Sequence, residues 1–253
     1  MLTRKAATAA VQRIQTENKD IKTLEGKVVI VTGGFGQLGL AVARAARDAG
    51  AQVAALDRAR PPAEGALPAG ALALGEIDLA EPDAAARALD QVAARFGGLD
   101  ALVNVAGTFR WETLEKGSLD SWDLLYRVNL RSAVSTSRAA LPHLMRRGGG
   151  RIVNIGAGAA AAKASAGMGA YSASKAGVAK FTEALADELK DRSITVNAVL
   201  PSIIDTPANR ADMPDADFSR WVAPQAVADV IVFLLSDQAR AMTGALIPVS
   251  GRV

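Results

Sequence analysis

The chain has 253 residues, half of them hydrophobic, with 23 Gly and 10 Pro, which suits one generous α/β domain better than several small ones. The absence of Cys excludes disulfides, thiol nucleophiles and Cys-based metal sites, and one His without a His-Glu-x-x-His pattern argues against zinc catalysis. A net charge of +3, spread along the chain, leaves no nucleic-acid footprint, and no apolar run reaches the roughly 18 residues of a bilayer span.

Residues 1–24 stand apart as an N-terminal extension: polar, without a strand pattern or a deep apolar face. Their basic, Ala/Thr-rich composition fits either an organelle transit peptide or a solvated arm, and the arm is the preferred reading. With no secretory signal in view, the expected location is cytoplasmic.

The folded part is expected over residues 25–253. Residues 27–32 form a β-branched run that reads as a buried strand, and they lead into a turn with glycines at 33, 34, 36 and 39. A helical pattern follows over 40–49 and is closed by Gly50. Strand, glycine-rich turn and helix together make a place for a pyrophosphate at a helix N-terminus. A tight turn with no ligand is the plain alternative. Residues 52–56 are the second strand and deliver Asp57, 18 positions after Gly39. A carboxylate there accepts hydrogen bonds from an adenosine ribose and repels a 2′-phosphate, which favours NAD(H); Arg58 beside it leaves NADP(H) open.

A Pro/Gly/Ala-rich loop over 59–70 precedes a third strand at 71–77, which leads to Asp78. An Ala-rich helix spans 82–96 with Pro82 in its first turn, and a fourth strand at 99–105 runs into Ala106 and Gly107. A long helical pattern at 119–147 is interrupted by Pro142 and carries Asn129, a poor helix former, in its middle. A fifth strand at 151–155, a helix from Tyr171 to about 191 and a sixth strand at 194–200 follow. Residues 203–221 are polar and irregular, long enough for a lid. A helix at 224–236 and a strand at 244–249 complete the chain. Strands alternating with helices at this spacing predict a single α/β domain with a doubly wound parallel sheet, its ligands at the C-terminal strand ends.

Tyr171 and Lys175 lie four residues apart and so project from one face of a helix. A phenol titrates near 10, and a fixed ammonium one turn away is expected to lower that value toward useful acid–base range. The same spacing also occurs by chance on solvated helices, so the pair gains weight only from what surrounds it.

Taken together, these residues resemble the short-chain dehydrogenase/reductase family over nearly the whole chain from residue 25. The matching pieces are Thr32-Gly33 with its turn, Asp57, Asp78-Leu79, Asn104 to Gly107, Asn129 between Val128 and Leu130, Tyr171 with Lys175, and Asn197 to Pro201. The resemblance implies a Rossmann-type fold, a nicotinamide cofactor and a homodimer or homotetramer built on the helices at 119–147 and 171–191. Tyr171 would then exchange a proton with the substrate, Lys175 would hold the nicotinamide ribose, and Asn129 would anchor a water reaching Lys175. The cofactor would lie along Gly33, Phe35, Gly36, Gln37, Leu38 and Gly39, then Asp57, Arg58, Asp78, Leu79, Asn104, Ala106, Gly107, Pro201 and Ile204.

Two departures bear on the substrate. Gln37 stands where the family's turn usually has its second Gly, and the usual Ser before the Tyr is missing: Gly156-Ala157 occupies that region, with Ser165 the nearest hydroxyl. Both departures, with Gly167-Met168 and the stretch from Asp205 to Trp221, are similar to dihydropteridine reductase-like members. That resemblance implies hydride transfer to a C=N or quinonoid substrate, which needs no second hydroxyl donor. Trp111, Met168, Trp221 and Ala157 are the substrate-side candidates. The alternatives are a carbonyl reductase or alcohol dehydrogenase of the same family, and a dinucleotide sensor without catalysis.

Overall fold

The computed structural model describes residues 23–158 and 164–253; the expectations for residues 1–22 lie outside it. Seven strands form one sheet: β1 (Val28–Thr32), β2 (Gln52–Leu56), β3 (Leu72–Leu74), β4 (Ala101–Asn104), β5 (Gly150–Ile155), β6 (Ile194–Pro201) and β7 (Leu246–Val249). Their order is β3-β2-β1-β4-β5-β6-β7, and every pairing is parallel. Among the described residues the α-helices are α1 (Gln37–Asp48), α2 (Pro82–Phe96), α3 (Leu119–Leu125), α4 (Ser132–Arg146), α5 (Gly169–Leu189), α6 (Pro207–Asp212) and α7 (Pro224–Leu235).

Strand alternation sorts the core into two layers. Val29 and Val31 of β1 pack with Val42 and Ala46 of α1 and Ile231 and Leu235 of α7. Val28 and Ile30 face the other way, onto Leu89 and Val92 of α2, Leu144 of α4 and Leu185 of α5. Both faces of β1 are therefore dry, which is why its sequence runs as unbroken Val and Ile. The chain leaves β1 for β2 on one side and returns to β4 on the other. The loops above β1 and β4 diverge at that reversal and open a crevice at the C-terminal strand ends.

Local chemistry shifts several of the expected boundaries. Leu24 is buried in the first core layer and its N–H bonds the Ala49 carbonyl, so the folded body includes it. The third strand keeps only three residues because Gly75 and Glu76, the latter at φ +59°, turn the chain away. The long helix expected at 119–147 runs without a break to Arg146; it widens into a π-helical turn at Tyr126–Arg131, and Pro142 sits inside α4 without interrupting it. The segment at 203–221, expected to be irregular, contains α6 with Thr206 as its cap: the Thr206 hydroxyl accepts the Asn209 N–H at 3.2 Å.

Candidate active site

A cleft of about 680 Å³ opens at the switch between β1 and β4. The β1–α1 turn forms its floor. Gly33 adopts φ +61°, and a Cβ there would stand 2.8 Å from the Ala106 backbone; a Cβ on Gly39 would strike the Gly33 carbonyl. Only glycine lets these backbones close so tightly. Helix α1 starts at Gly36 with no side-chain cap and no acidic residue in its first turn. Its dipole and first N–H groups are thus left for an anion, which fits the pyrophosphate of a dinucleotide.

Asp57 is fixed at the end of β2. One carboxylate oxygen accepts the Phe35 N–H and the other the Ala59 N–H, each at 3.0 Å. It therefore shapes the turn while remaining on the cleft wall beside Arg58. Asp78 accepts a hydrogen bond from Ala80 N–H and pairs with Arg127 at 2.8 Å. Burial works to raise the Asp78 pKa, but the hydrogen bonds from Arg127 and Ala80 and the charges of Arg127 and Arg58 prevail and hold it below the usual carboxylate range.

Tyr171 and Lys175 emerge from the first turns of α5 and reach the cleft together. Lys175 is 5% exposed, and its Nζ donates to the Ile155 carbonyl at 2.7 Å. Burial pulls its pKa down to about 8. Burial also pushes the Tyr171 phenol up to about 12, against the lowering expected from the ammonium. The physical reason is that desolvation of the phenolate is the governing effect in this cleft. Tyr171 is thus held as an acid, not as a ready base.

Asn129 lies on the π-helical turn, buried behind the cleft wall. Its Oδ1 accepts the Thr108 N–H at 2.7 Å, and its Nδ2 donates to the Thr108 carbonyl and to Ser174 Oγ. The amide clamps residue 108 at both ends and ties it to α5, whose Ser174 hydroxyl in turn donates to the Tyr171 carbonyl. A Cβ on Gly107 would meet Asn129 Oδ1 and Lys175 Nζ alike, at 3.3 Å, so the two groups face one small space.

The cleft brings together Gly33, Phe35, Gly36, Gln37, Leu38, Gly39, Asp57, Arg58, Asp78, Leu79, Ala106, Gly107, Tyr171, Lys175, Pro201 and Ile204. Asn104 is not on its wall. Its side chain lies under the sheet end, bonded to Asn154, Ser137 and Thr136 in a buried ladder, while Thr32 Oγ1 accepts the Ala106 N–H at the strand-end turn. The expected substrate residues fall elsewhere too. Ala157 is 5% exposed, Trp111 packs on Gly167, Met168 precedes α5 and Trp221 stacks on Phe218. None of these four lines the cleft, and neither does Ser165, which is exposed.

In their place the substrate end presents Thr108, Phe109, Ser202, Thr206, Ala208 and Asn209. Phe109 stands edge-on to Tyr171, ring centres 4.9 Å apart. The one available sequence signal was position: Thr108 and Phe109 follow Gly107 directly at a strand end. Among the described residues no group of three His, Cys, Asp or Glu gathers to hold a metal, and no helix is long and apolar enough to cross a membrane.

Residues 27–217 match the pattern of the family described as short chain dehydrogenase. The 3-oxoacyl-acyl-carrier-protein reductase FabG of Thermotoga maritima is 31% identical over 241 residues, 90% of this chain and 98% of that protein. The D-beta-hydroxybutyrate dehydrogenase of Rhizobium meliloti is 31% identical, covering 89% of this chain and 97% of its own length. The D-threitol dehydrogenase of Mycolicibacterium smegmatis is 34% identical, covering 90% and 93%. These three names describe chemistry at a carbonyl or an alcohol, not at a pterin.

Proposed function

The chain belongs to the short chain dehydrogenase family, and from that premise we propose that it transfers hydride between a nicotinamide dinucleotide and a carbonyl carbon or its alcohol. One observation carries the reading: Tyr171 and Lys175 share a cleft with an uncapped helix N-terminus at the sheet's switch point. This places ahead the carbonyl–alcohol chemistry that the sequence put second, because the relatives are named for it.

The nicotinamide, when bound, supplies or takes the hydride. Everything else falls to the chain. Reduction of C=O to CH–OH consumes one hydride and one proton, and Tyr171, kept protonated by burial, is the proton's source. The Lys175 ammonium beside it stabilises the phenolate left behind, which solvent then reprotonates. Asn129, with its amide N–H groups committed to Thr108 and Ser174, acts as a positioning residue that holds the 108 loop against α5.

Asp57 supports a preference for NAD(H) by repelling a 2′-phosphate, with NADP(H) second through Arg58. A homodimer or homotetramer is supported by Leu119, Trp122, Tyr126 and Val134, large side chains left exposed along α3, the π-helical turn and α4.

A second reading, reduction of a C=N or quinonoid substrate, is favoured by Ala157. At that position a methyl stands where the family's hydroxyl polarises a carbonyl, and losing one such donor costs roughly 2.7–4 kcal/mol in the transition state. The test is to follow NADH, then NADPH, oxidation at fixed protein with neutral ketones, β-keto esters, cyclic imines and quinonoid dihydropterin. Turnover of ketones with inert imines and pterin upholds the first reading, and the reverse pattern upholds the second. Tight dinucleotide binding without turnover of any of them would replace both by the non-catalytic sensor.

A further inference from the structure

We propose that Phe109 is the specificity-determining residue of the cleft and that the substrate it selects is uncharged and planar at the reacting end. This rests on the reading of the cleft as a hydride-transfer site. The first ground is position. Phe109 is 51% exposed, lines the cleft and sets its ring edge-on against Tyr171 at an interplanar angle of 80°. The two rings meet at a near right angle, and with half its surface exposed Phe109 stays open beside the group that hands over the proton. An exposed aromatic ring held at a site is a low-entropy surface for another flat π-system, because few rotatable bonds need freezing when it is covered.

The second ground is that this ring is held, not loose. Asn129 grips the backbone of Thr108, the residue before it, at both N–H and carbonyl. Three residues on, the Glu112 N–H bonds the Gly167 carbonyl at 2.8 Å, and Trp111 lies across Gly167. Phe109 is thus suspended between two anchor points.

The third ground is charge. The cationic side chains lining the cleft are Arg58, Arg127 and Lys175, and only Lys175 stands at the Tyr171 end, with Arg127 paired to Asp78 and Glu81. Arg110 turns away to Ser121, and Arg210 is spent on Asp205 in a two-point pair at the lid. No cation beyond Lys175 is left among the described residues at the Tyr171 end of the cleft to receive a substrate carboxylate. The lid instead offers Thr206 and Asn209, neutral groups suited to the polar rim of a flat ring.

The experiment uses the full-length protein with NADH or NADPH, whichever it oxidises faster. The probes are 1,4-naphthoquinone and 1-tetralone as planar neutral substrates, cyclohexanone as a non-planar neutral one, and acetoacetate as an anion. The wild type is expected to favour the planar probes over acetoacetate by at least tenfold in kcat/KM. Phe109→Leu keeps apolar bulk but removes the π face; it should raise KM for the planar probes about tenfold and for cyclohexanone less than about threefold, so that the preference for planar probes falls. Phe109→Tyr should restore the wild-type KM. Equal losses for planar and non-planar probes, or a wild type that prefers acetoacetate, would overturn the proposal while leaving hydride transfer intact. If no probe, cyclic imine or pterin is turned over, the hydride-transfer reading falls and this proposal falls with it.

Discussion

The two ends of the cleft are built by different means. At the nucleotide end the work is done by backbone: glycines at 33 and 39 that close the β1–α1 turn, an uncapped helix start at Gly36, and Asp57 pinned by the N–H groups of residues 35 and 59. At the substrate end it is done by side chains on loops: Phe109 on the segment after β4, Thr206 and Asn209 at the start of α6, and Tyr171 from α5. Backbone architecture constrains which residue types are possible, so it leaves a pattern in sequence. Side-chain architecture on loops constrains little beyond the contact itself. A residue at the second end can therefore change without disturbing the first.

The sharpest way to separate the two ends is Tyr171→Phe. It removes the hydroxyl proposed as the proton's source while leaving the ring packed on Phe109. Turnover should drop by about 10³-fold, within the 10²–10⁴ range of a general acid's contribution, while NADH affinity, read by fluorescence titration, should move less than about threefold. Loss of both together would mean that the ends are not separable. Asp57→Asn attacks the other end. It keeps the side chain's size but removes the charge and leaves an acceptor for only one of the N–H groups of residues 35 and 59, and a charge-assisted hydrogen bond is worth about 1.5–3 kcal/mol. NADH kcat/KM should fall on the order of 10- to 100-fold and NADPH should gain on it; a unchanged ratio of the two would show that Asp57 does not select.

What sequence could and could not reveal follows the same division. The strand–turn–helix at 27–49, Asp57, Asp78 and the Tyr171–Lys175 pair were readable because each is tied to a periodic element or to the residue type a tight backbone demands. Phe109 had only its place after Gly107 to mark it: an exposed aromatic on a loop has no period and no required neighbour. Trp111 and Trp221, which look equally available in sequence, are occupied by Gly167 and Phe218 instead. Asn104 misled because a polar residue at a strand end reads as a cleft residue, whereas here it closes a buried ladder with Asn154 and Thr136. The π-helical turn that presents Asn129 has no local signature, and Pro142, read as an interruption, leaves the helix intact.

Ala157→Ser probes the substrate end with a smaller effect. If the substrate is a ketone, a hydroxyl at this buried position beside the cleft restores a donor and should raise kcat about tenfold, a fraction of what a well-aimed donor gives. If the substrate is a C=N compound, the same change should leave kcat within about twofold. Rate ratios for cyclohexanone and a cyclic imine, measured on both proteins, distinguish the two.

The smallest expected effect lies in stability, and it comes from the same two groups acting without any ligand. Lys175 titrates at about 8 when folded against 10.5 in its ordinary state. Below pH 8 it is charged in both states, and burying that charge costs the fold its full penalty. Between 8 and 10.5 the unfolded chain binds the proton more strongly, so stability rises with pH, by at most about 3 kcal/mol. Tyr171 works in the opposite sense: its phenol titrates at about 12 folded against 10.0 unfolded, so above pH 10 the unfolded chain ionises first and stability falls. The ligand-free protein should therefore gain a few degrees in Tm between pH 8 and 10 and lose them beyond. Lys175→Met should flatten the rise and leave the fall, and Tyr171→Phe should do the reverse. A profile indifferent to both substitutions would mean that the substrate end is wetter than its burial implies, and with that the case for Tyr171 as a held acid would be lost.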